Sequence, residues 1–317
     1  KKLDMTTTYL VTGAAGFIGS HSVEWLLGQN HHVVGVDNLR TGHLENLAAA
    51  RSSPNFEWVL ADAGDEATMR ALFEKYRFAG VLHLAALVSV PESFRDPGLN
   101  ARLNLVTTDR LARLCIEFAC KRVVFASSAA VYGAAAALPN HESAVPQPQS
   151  PYAAAKLASE IMLLGYAASY DLEVICLRYF NVYGPRQDPS SPYSGVLSIF
   201  TDRFRRGLPV TVYGDGEQTR DFISVRDVAR ANGTALLAAS VSGGRYNVCT
   251  GRAVSLNQVL EIYRELFPEV PPAEYAEARI GDIRHSLGDP QLLRELLQFE
   301  ASTIFSQGLR ELTLSIG

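Results

Sequence analysis

Tyr9-Leu10-Val11-Thr12-Gly13-Ala14-Ala15-Gly16-Phe17-Ile18-Gly19 is the stretch that decides the fold. A short apolar run leads into glycines spaced Gly-x-x-Gly-x-x-Gly, which reads as strand, tight turn and helix start. Glycines let the backbone approach a pyrophosphate, and the free amides and dipole at a helix amino end favour its charge. The spacing differs from Gly-x-Gly-x-x-Gly, and such a loop by itself also suits a plain strand-to-helix turn. The next segment narrows the choice. Val33-Val34-Gly35-Val36 forms a second strand ending in Asp37-Asn38, close to the offset of about 20 residues at which an acidic side chain meets the adenosine ribose. A carboxylate there repels a 2'-phosphate, so NAD is expected rather than NADP.

Further along, Tyr152-Ala153-Ala154-Ala155-Lys156 puts a phenol and an ammonium one helical turn apart. Free tyrosine titrates near ~10, and lowering that to about 7 takes roughly 4 kcal/mol at about 1.4 kcal/mol per unit. A close cation in a partly desolvated site supplies most of it, and a cationic nicotinamide adds more. Standing alone the pentapeptide is an ordinary solvated helix pair; downstream of the glycine loop it reads as a proton-transfer pair.

The chain has 317 residues, is 47% hydrophobic and carries a formal net charge of −4. That bulk buries one large core, or a core and a smaller lobe. The charge offers no basic surface for nucleic acid, and no apolar run reaches the ~18 residues of a membrane span. No signal peptide is evident, and Lys1 to Asp4, ahead of Met5, read as vector-derived. Cys115, Cys120, Cys176 and Cys249 lack metal-site spacing and sit in apolar segments, as reduced core residues of a cytoplasmic protein do. No metal is expected; the adjacent His31-His32 reads as a surface turn.

Short β-branched runs alternate with helical patterns, the signature of a doubly wound parallel α/β sheet. Strands are expected at 57–61, 80–84, 122–126 and 173–178, and helices at 20–29, 66–76, 101–120 and 151–170. Composition shifts near Gly184-Pro185 and again after Gly243-Gly244. The expected division is a Rossmann-type NAD-binding domain over 1–180 plus about 220–245, with a smaller substrate-binding lobe from about 181–219 and 246–317.

Polar groups cluster where such a sheet presents its strand ends. Asp62-Ala63 follows the third strand, His83-Leu84-Ala85-Ala86 the fourth, Ser127-Ser128-Ala129-Ala130-Val131-Tyr132-Gly133 the fifth, and Arg178-Tyr179-Phe180-Asn181 the sixth. With Tyr213-Gly214-Asp215-Gly216, Thr219-Arg220-Asp221-Phe222 and Gly281-Asp282, this series resembles the extended short-chain dehydrogenase/reductases nearly end to end, and within them the nucleotide-sugar 4-epimerases.

The resemblance implies a set of roles. Gly13, Gly16, Phe17, Ile18, Gly19, Asp37, Asn38, Asp62, Ala63, Leu84, Ala85, Ala86 and Tyr179 would bind NAD, Asp62 at the adenine, while Asn104 would support the helix facing it. Ser128, Tyr152 and Lys156 would be catalytic, Ser128 also binding substrate and Tyr152 and Lys156 also meeting the cofactor, Lys156 at the nicotinamide ribose, with Ser127 left to capping or core hydrogen bonding. Tyr152 would take the sugar 4-hydroxyl proton as C4 gives its hydride to NAD, and return of hydride to the opposite face of a rotated 4-keto sugar would invert the centre. Arg220 and Arg279 would clamp the diphosphate, Asn181 would meet diphosphate or sugar, Asp282 would meet the ribose or order the loop, and Tyr213 would border the uracil. Dehydratases and UDP-glucuronate decarboxylases of the family carry acids after the catalytic hydroxyl, where this chain has Ala129-Ala130. Ser286, in the position bordering the C2 substituent, leaves room for an N-acetyl group, so UDP-GlcNAc and UDP-GalNAc are expected, along with UDP-glucose and UDP-galactose. A UDP-glucuronate 4-epimerase or decarboxylase and a non-catalytic sensor of NAD or nucleotide sugar remain alternatives. The helices at 101–120 and 151–170 lie where the family forms a four-helix homodimer interface.

Overall fold

The computed structural model describes residues 7–134, 137–188, 195–239, 243–278 and 283–315. The first part alternates strand and helix: β1 (Thr8–Thr12), α1 (Phe17–Gly28), β2 (His32–Asp37), β3 (Phe56–Leu60), α2 (Glu66–Lys75), β4 (Gly80–His83), α3 (Val90–Arg95), α4 (Pro97–Ala101), α5 (Thr107–Glu117), β5 (Arg122–Ser128), α6 (Pro151–Ser169) and β6 (Glu173–Tyr179). After these come β7 (Asn181–Tyr183), α7 (Val196–Arg205), β8 (Thr211–Tyr213), β9 (Thr219–Arg220), β10 (Phe222–Ser224), α8 (Val225–Leu237), β11 (Gly244–Val248), β12 (Val254–Ser255), α9 (Leu256–Leu266), β13 (Glu274–Ala276), α10 (Gln291–Leu297) and α11 (Phe305–Ser315).

Seven strands pair, all parallel, in the order β11-β6-β5-β4-β1-β2-β3. Parallel sheets bury both faces, and alternate residues serve opposite sides. Tyr9 and Val11 pack with Leu26 of α1 and Leu236 of α8, while Leu10 between them packs with Leu72, Leu111 and Leu163 of α2, α5 and α6. The strand order reverses between β1 and β4, so their carboxyl ends diverge and leave the crevice in which such sheets hold nucleotides. A separate core joins Phe200 and Phe204 of α7, Val259 and Tyr263 of α9 and Leu312 of α11.

The expected strands and helices are present with shifted ends, and the shifts have causes. Helix α1 begins at Phe17, three residues before the expected start, because Gly16 caps it with backbone alone. The helix expected over 101–120 is interrupted by a π-helical turn at Arg102–Val106, which leaves the Asn104 carbonyl to Thr108 and Ser159. β11 carries the main sheet three residues past the expected boundary at 245, and Leu293 and Phe299 pack on the sheet's core rather than with the smaller lobe.

Candidate active site

The turn after β1 is built for close backbone approach. Gly13 has φ +70, its amide donates to the Val36 carbonyl at 2.8 Å, and a Cβ on it would lie 2.8 Å from the Ala85 nitrogen. A Cβ on Gly19 would lie 1.9 Å from the Gly13 oxygen. With Gly16 at the N-cap and no side chain capping it, α1 opens with the amides of Phe17 and Ile18 at its positive end. Asp37 is buried at the end of β2; its oxygens accept from Ala15 N at 3.0 Å and Leu39 N at 2.8 Å, ordering the glycine loop. Burial raises the Asp37 pKa, and these amides draw it back down. Asp62 accepts from Gly64 N at 2.7 Å and from the Asn38 amide at 3.3 Å, with Ala63 buried beside it.

Between the β1 and β4 ends runs a chain of hydrogen bonds whose direction the donors settle. Thr12 Oγ1 accepts from the amides of Leu84 and Ala85, each at 3.2 Å, so its own hydrogen goes to His83 Nδ1 at 2.7 Å. His83 Nε2 then carries the proton and donates to Thr108 Oγ1 at 3.0 Å, which donates to the Asn104 carbonyl. Burial, with Lys156 nearby, lowers the His83 pKa to about 3, keeping the ring neutral. The Asn104 side chain brackets Leu87, accepting from its amide and donating to its carbonyl, both at 3.0 Å, and so holds the Leu84-Ala85-Ala86 loop in place.

On the other side of the crevice β5 ends at Ser128 and α6 begins. Ser150 caps the helix through Ala153 N, Pro151 opens it, and Tyr152 N donates to Ser93 Oγ at 3.2 Å. These contacts bring the Tyr152 phenol beside Ser128, whose Oγ accepts from Ala130 N at 3.2 Å. Lys156 is 3% exposed; its Nζ donates to the Ala126 carbonyl at 2.8 Å, 4.9 Å from the Phe125 ring centre and 6.0 Å from that of Tyr152. The protonation pattern differs from the expected one. Burial pushes the Tyr152 phenol up, opposed by Ser128, and draws the Lys156 ammonium down to about 7, opposed by the nearby Glu160 carboxylate.

Ser127 faces away from Ser128 and donates to Glu160. Tyr179 was expected at the cofactor, but its buried phenol donates to Asn232 Oδ1 at 2.6 Å, which commits the side chain to the core. Two residues escaped the sequence reading. Glu160 lies one turn beyond Lys156 and is fully buried, and Asp221 binds the amides of Thr250, Gly251 and Gly288. Glu160 stood in plain view at the helical spacing Tyr152, Lys156, Glu160, a signal for a shared face.

Asp221 positions the substrate-side candidates. Asn181 N donates to the Asp221 carbonyl at 3.0 Å, Ser286 N donates to Thr219 O at 3.1 Å, and Arg220 Nη1 donates to the carbonyls of Thr219 at 2.9 Å and Arg284 at 3.3 Å. Arg220 and Ser286 thus share one patch of backbone, while Tyr213 is 37% exposed at the end of β8, its carbonyl held by Gln218. Arg279 and Asp282 lie outside the described residues.

A switch-point crevice with a side-chain-free turn, a strand-end acid and a Ser/Tyr/Lys cluster defines a dinucleotide-dependent α/β enzyme. The chain belongs to the NAD dependent epimerase/dehydratase family, whose model matches residues 9–249. It is 39% identical over 305 residues to a UDP-glucose 4-epimerase of Mycolicibacterium smegmatis, covering 95% of each chain. A UDP-N-acetylglucosamine 4-epimerase from Methanobrevibacter ruminantium M1, solved with UDP-N-acetylmuramic acid, superimposes with TM-score 0.92 at 37% identity over 98% of this chain and 97% of that one. A UDP-glucose 4-epimerase from Thermus thermophilus, complexed with NAD, gives TM-score 0.88 at 38% identity over 98% of both chains. NAD is accordingly the cofactor. The residues fit it: the turn leaves no room for a side chain at Gly13 or Gly19, and Asp37 stands at the strand end where a ribose would lie.

Proposed function

We propose that this enzyme, a UDP-sugar 4-epimerase, interconverts UDP-GlcNAc and UDP-GalNAc and also accepts UDP-glucose and UDP-galactose. The observation that carries the proton-transfer part is the buried Tyr152 phenol beside Ser128 at the end of β5, with Lys156 one turn along α6. Bound NAD supplies the hydride acceptor and then the donor. Tyr152 takes the proton of the 4-hydroxyl and later returns it, Ser128 hydrogen-bonds the same oxygen, and the Lys156 cation stabilises the phenolate. Burial of Tyr152 keeps this proton exchange away from water. Ala129 and Ala130 carry no acid to eliminate the neighbouring hydroxyl, which favours epimerisation over dehydration.

The N-acetyl preference rests on Ser286, a half-buried small residue tied to Thr219 beside Arg220. Incubation with UDP-GlcNAc and with UDP-glucose, followed by proton NMR of the anomeric signals, should give the galacto epimer from each. Ser286→Tyr should cut turnover of UDP-GlcNAc at least tenfold, equivalent to about 1.4 kcal/mol, and spare UDP-glucose. Equal losses on both sugars would remove Ser286 from the specificity account.

The diphosphate is assigned to Arg220 with Arg279, the nucleoside to Asp282 and Tyr213. We also infer a homodimer formed by the helices that carry Val106, Asp109, Ile161 and Met162, where Ile161 is 56% and Val106 39% exposed; a solution mass of two chains tests it. The four cysteines are buried and free, which suits the reducing cytoplasm. Among the described residues no helix is long and apolar enough to cross a membrane.

A further inference from the structure

Beneath Lys156 lies a charged group that the proposed chemistry does not use. Glu160 and Arg178 form an ion pair in which both side chains are 0% exposed, with Nε–Oε1 at 2.9 Å and Nη2–Oε2 at 2.6 Å. Ser127 donates to the same carboxylate, and Arg245 Nε lies 3.3 Å from it without hydrogen-bond geometry. Arg178 stacks over the Tyr132 ring at 4.8 Å, and the Tyr132 phenol donates to Asn247 Oδ1 at 2.6 Å. A buried ion pair of this kind is a poor source of stability, since desolvation offsets most of its attraction and apolar replacements often fold as well. Its retention therefore asks for another reason.

Position supplies one. Tyr152, Lys156 and Glu160 succeed one another on a single face of α6 along the last residues of β5: Tyr152 lies beside Ser128, Lys156 holds the Ala126 carbonyl and Glu160 the Ser127 hydroxyl. Side chains of Ser127 and Ser128 point to opposite faces of the strand, so fixing the first fixes the rotation of the second. Charge supplies another. The groups around the pair are His83 from β4, Phe125 and the Ala126 carbonyl from β5, Cys176 and Arg178 from β6, and Arg245 from β11. His83 is neutral and both arginines are cationic, which leaves Glu160 as the carboxylate that supports an ammonium at Lys156.

We propose that Glu160, clamped by Arg178 and Ser127, is a positioning residue for epimerisation: it sets α6 against the end of β5 so that Ser128 meets Tyr152, with its carboxylate one turn beyond Lys156. The proposal rests on the epimerase reading, and wild-type turnover in the same assay separates the two, since that reading fails first if the wild type converts neither sugar. In Glu160→Gln the alkaline limb of the kcat profile should move to lower pH by about one unit, because Lys156 gives up its proton sooner. A purely structural role would lower activity without moving the limb. Since Glu160→Gln strands a buried guanidinium, a second variant pairs Glu160→Met with Arg178→Leu. It should fold, keep NAD through gel filtration, lose at least tenfold in kcat and show the same acid-shifted limb. Ser127→Ala keeps every charge and should lose at least threefold in kcat with KM unchanged and the limb in place. A folded Glu160 variant with wild-type kcat and limb, or a Ser127→Ala enzyme with wild-type kcat, overturns the proposal.

Discussion

The two sides of the crevice are made of different material. The β1–β2 side is backbone: Gly13, Gly16 and Gly19 contribute space and amides, and Asp37 is locked by the amides of Ala15 and Leu39. The β5–α6 side is side chains that exchange protons, with Ser128, Tyr152, Lys156 and Glu160 standing in sequence along one contact. A backbone site has its function as soon as its geometry exists. A side-chain site also needs its protons in the right place, and burial of Tyr152 and Lys156 works against both of the charges the chemistry uses. The first site is rigid and cannot be tuned, whereas the second is tunable and carries a cost in stability.

Gly19→Ala is expected to have the largest effect, because it puts a Cβ 1.9 Å from the Gly13 carbonyl oxygen and one backbone must move. We expect a loss of about 3 kcal/mol in stability and of NAD retained through purification, measured by urea melts and nucleotide absorbance. Tyr152→Phe does the reverse: turnover falls by about a thousandfold while melting and NAD content stay near wild type. If Gly19→Ala kept its cofactor, or Tyr152→Phe lost it, the division between a backbone side and a side-chain side would collapse.

Lys156→Met sharpens the comparison by removing the buried cation. The folded pKa of about 7 lies below the ordinary 10.5, so between those pH values the unfolded chain holds a proton that the folded one has released. Wild-type stability therefore rises with pH through that window, and at pH 7 the buried amine costs up to about 4 kcal/mol. Losing the bond to the Ala126 carbonyl returns about 1 to 2 kcal/mol of that. The variant should be inactive yet melt higher than wild type at pH 7, and show no rise toward pH 10. A lower melting temperature at pH 7 would mean that the lysine is not desolvated at a cost to the fold.

The same contrast explains what could be read in advance. Gly13 to Gly19 and Asp37 were legible because a backbone site constrains sequence spacing directly, and the strand-end residues because parallel sheets put them on one edge. Ser128, Tyr152 and Lys156 were legible as identities, but the direction of their pKa shifts was not, since burial depends on every element packed around them. Glu160 could be placed on the Tyr152–Lys156 face by its spacing, but its partners Arg178 and Ser127, like Thr250 and Gly288, the partners of Asp221, lie 18 to 67 positions away in sequence and were hidden. The partner of the Tyr179 phenol, Asn232 of α8, was hidden for the same reason, 53 positions on. β11 joined the sheet and α10 packed on its core unexpectedly because short segments late in the chain show no period that says which core they serve.

The smallest effect lies where the two sides meet, at His83. Its ring accepts from Thr12 on the backbone side and donates to Thr108, which leads to Asn104 and the loop before α3. Both ring nitrogens are in use with a single proton, so adding a second would break the bond from Thr12 and place a cation near Lys156. The folded pKa of about 3 lies below the ordinary 6.5, so between those values the unfolded chain binds a proton that the folded one refuses. Stability contributed by neutral His83 is complete above about pH 6.5 and declines by about 1.4 kcal/mol for each unit of acidification toward 3. His83→Gln keeps one acceptor and one donor but has nothing to titrate in that range. Against wild type, its stability between pH 6.5 and 4.5 should fall less steeply by up to that amount per unit, measured by urea melts at each pH. Parallel slopes would show that the ring protonates in the folded enzyme, and that the joint between the two sides is not held by one fixed tautomer.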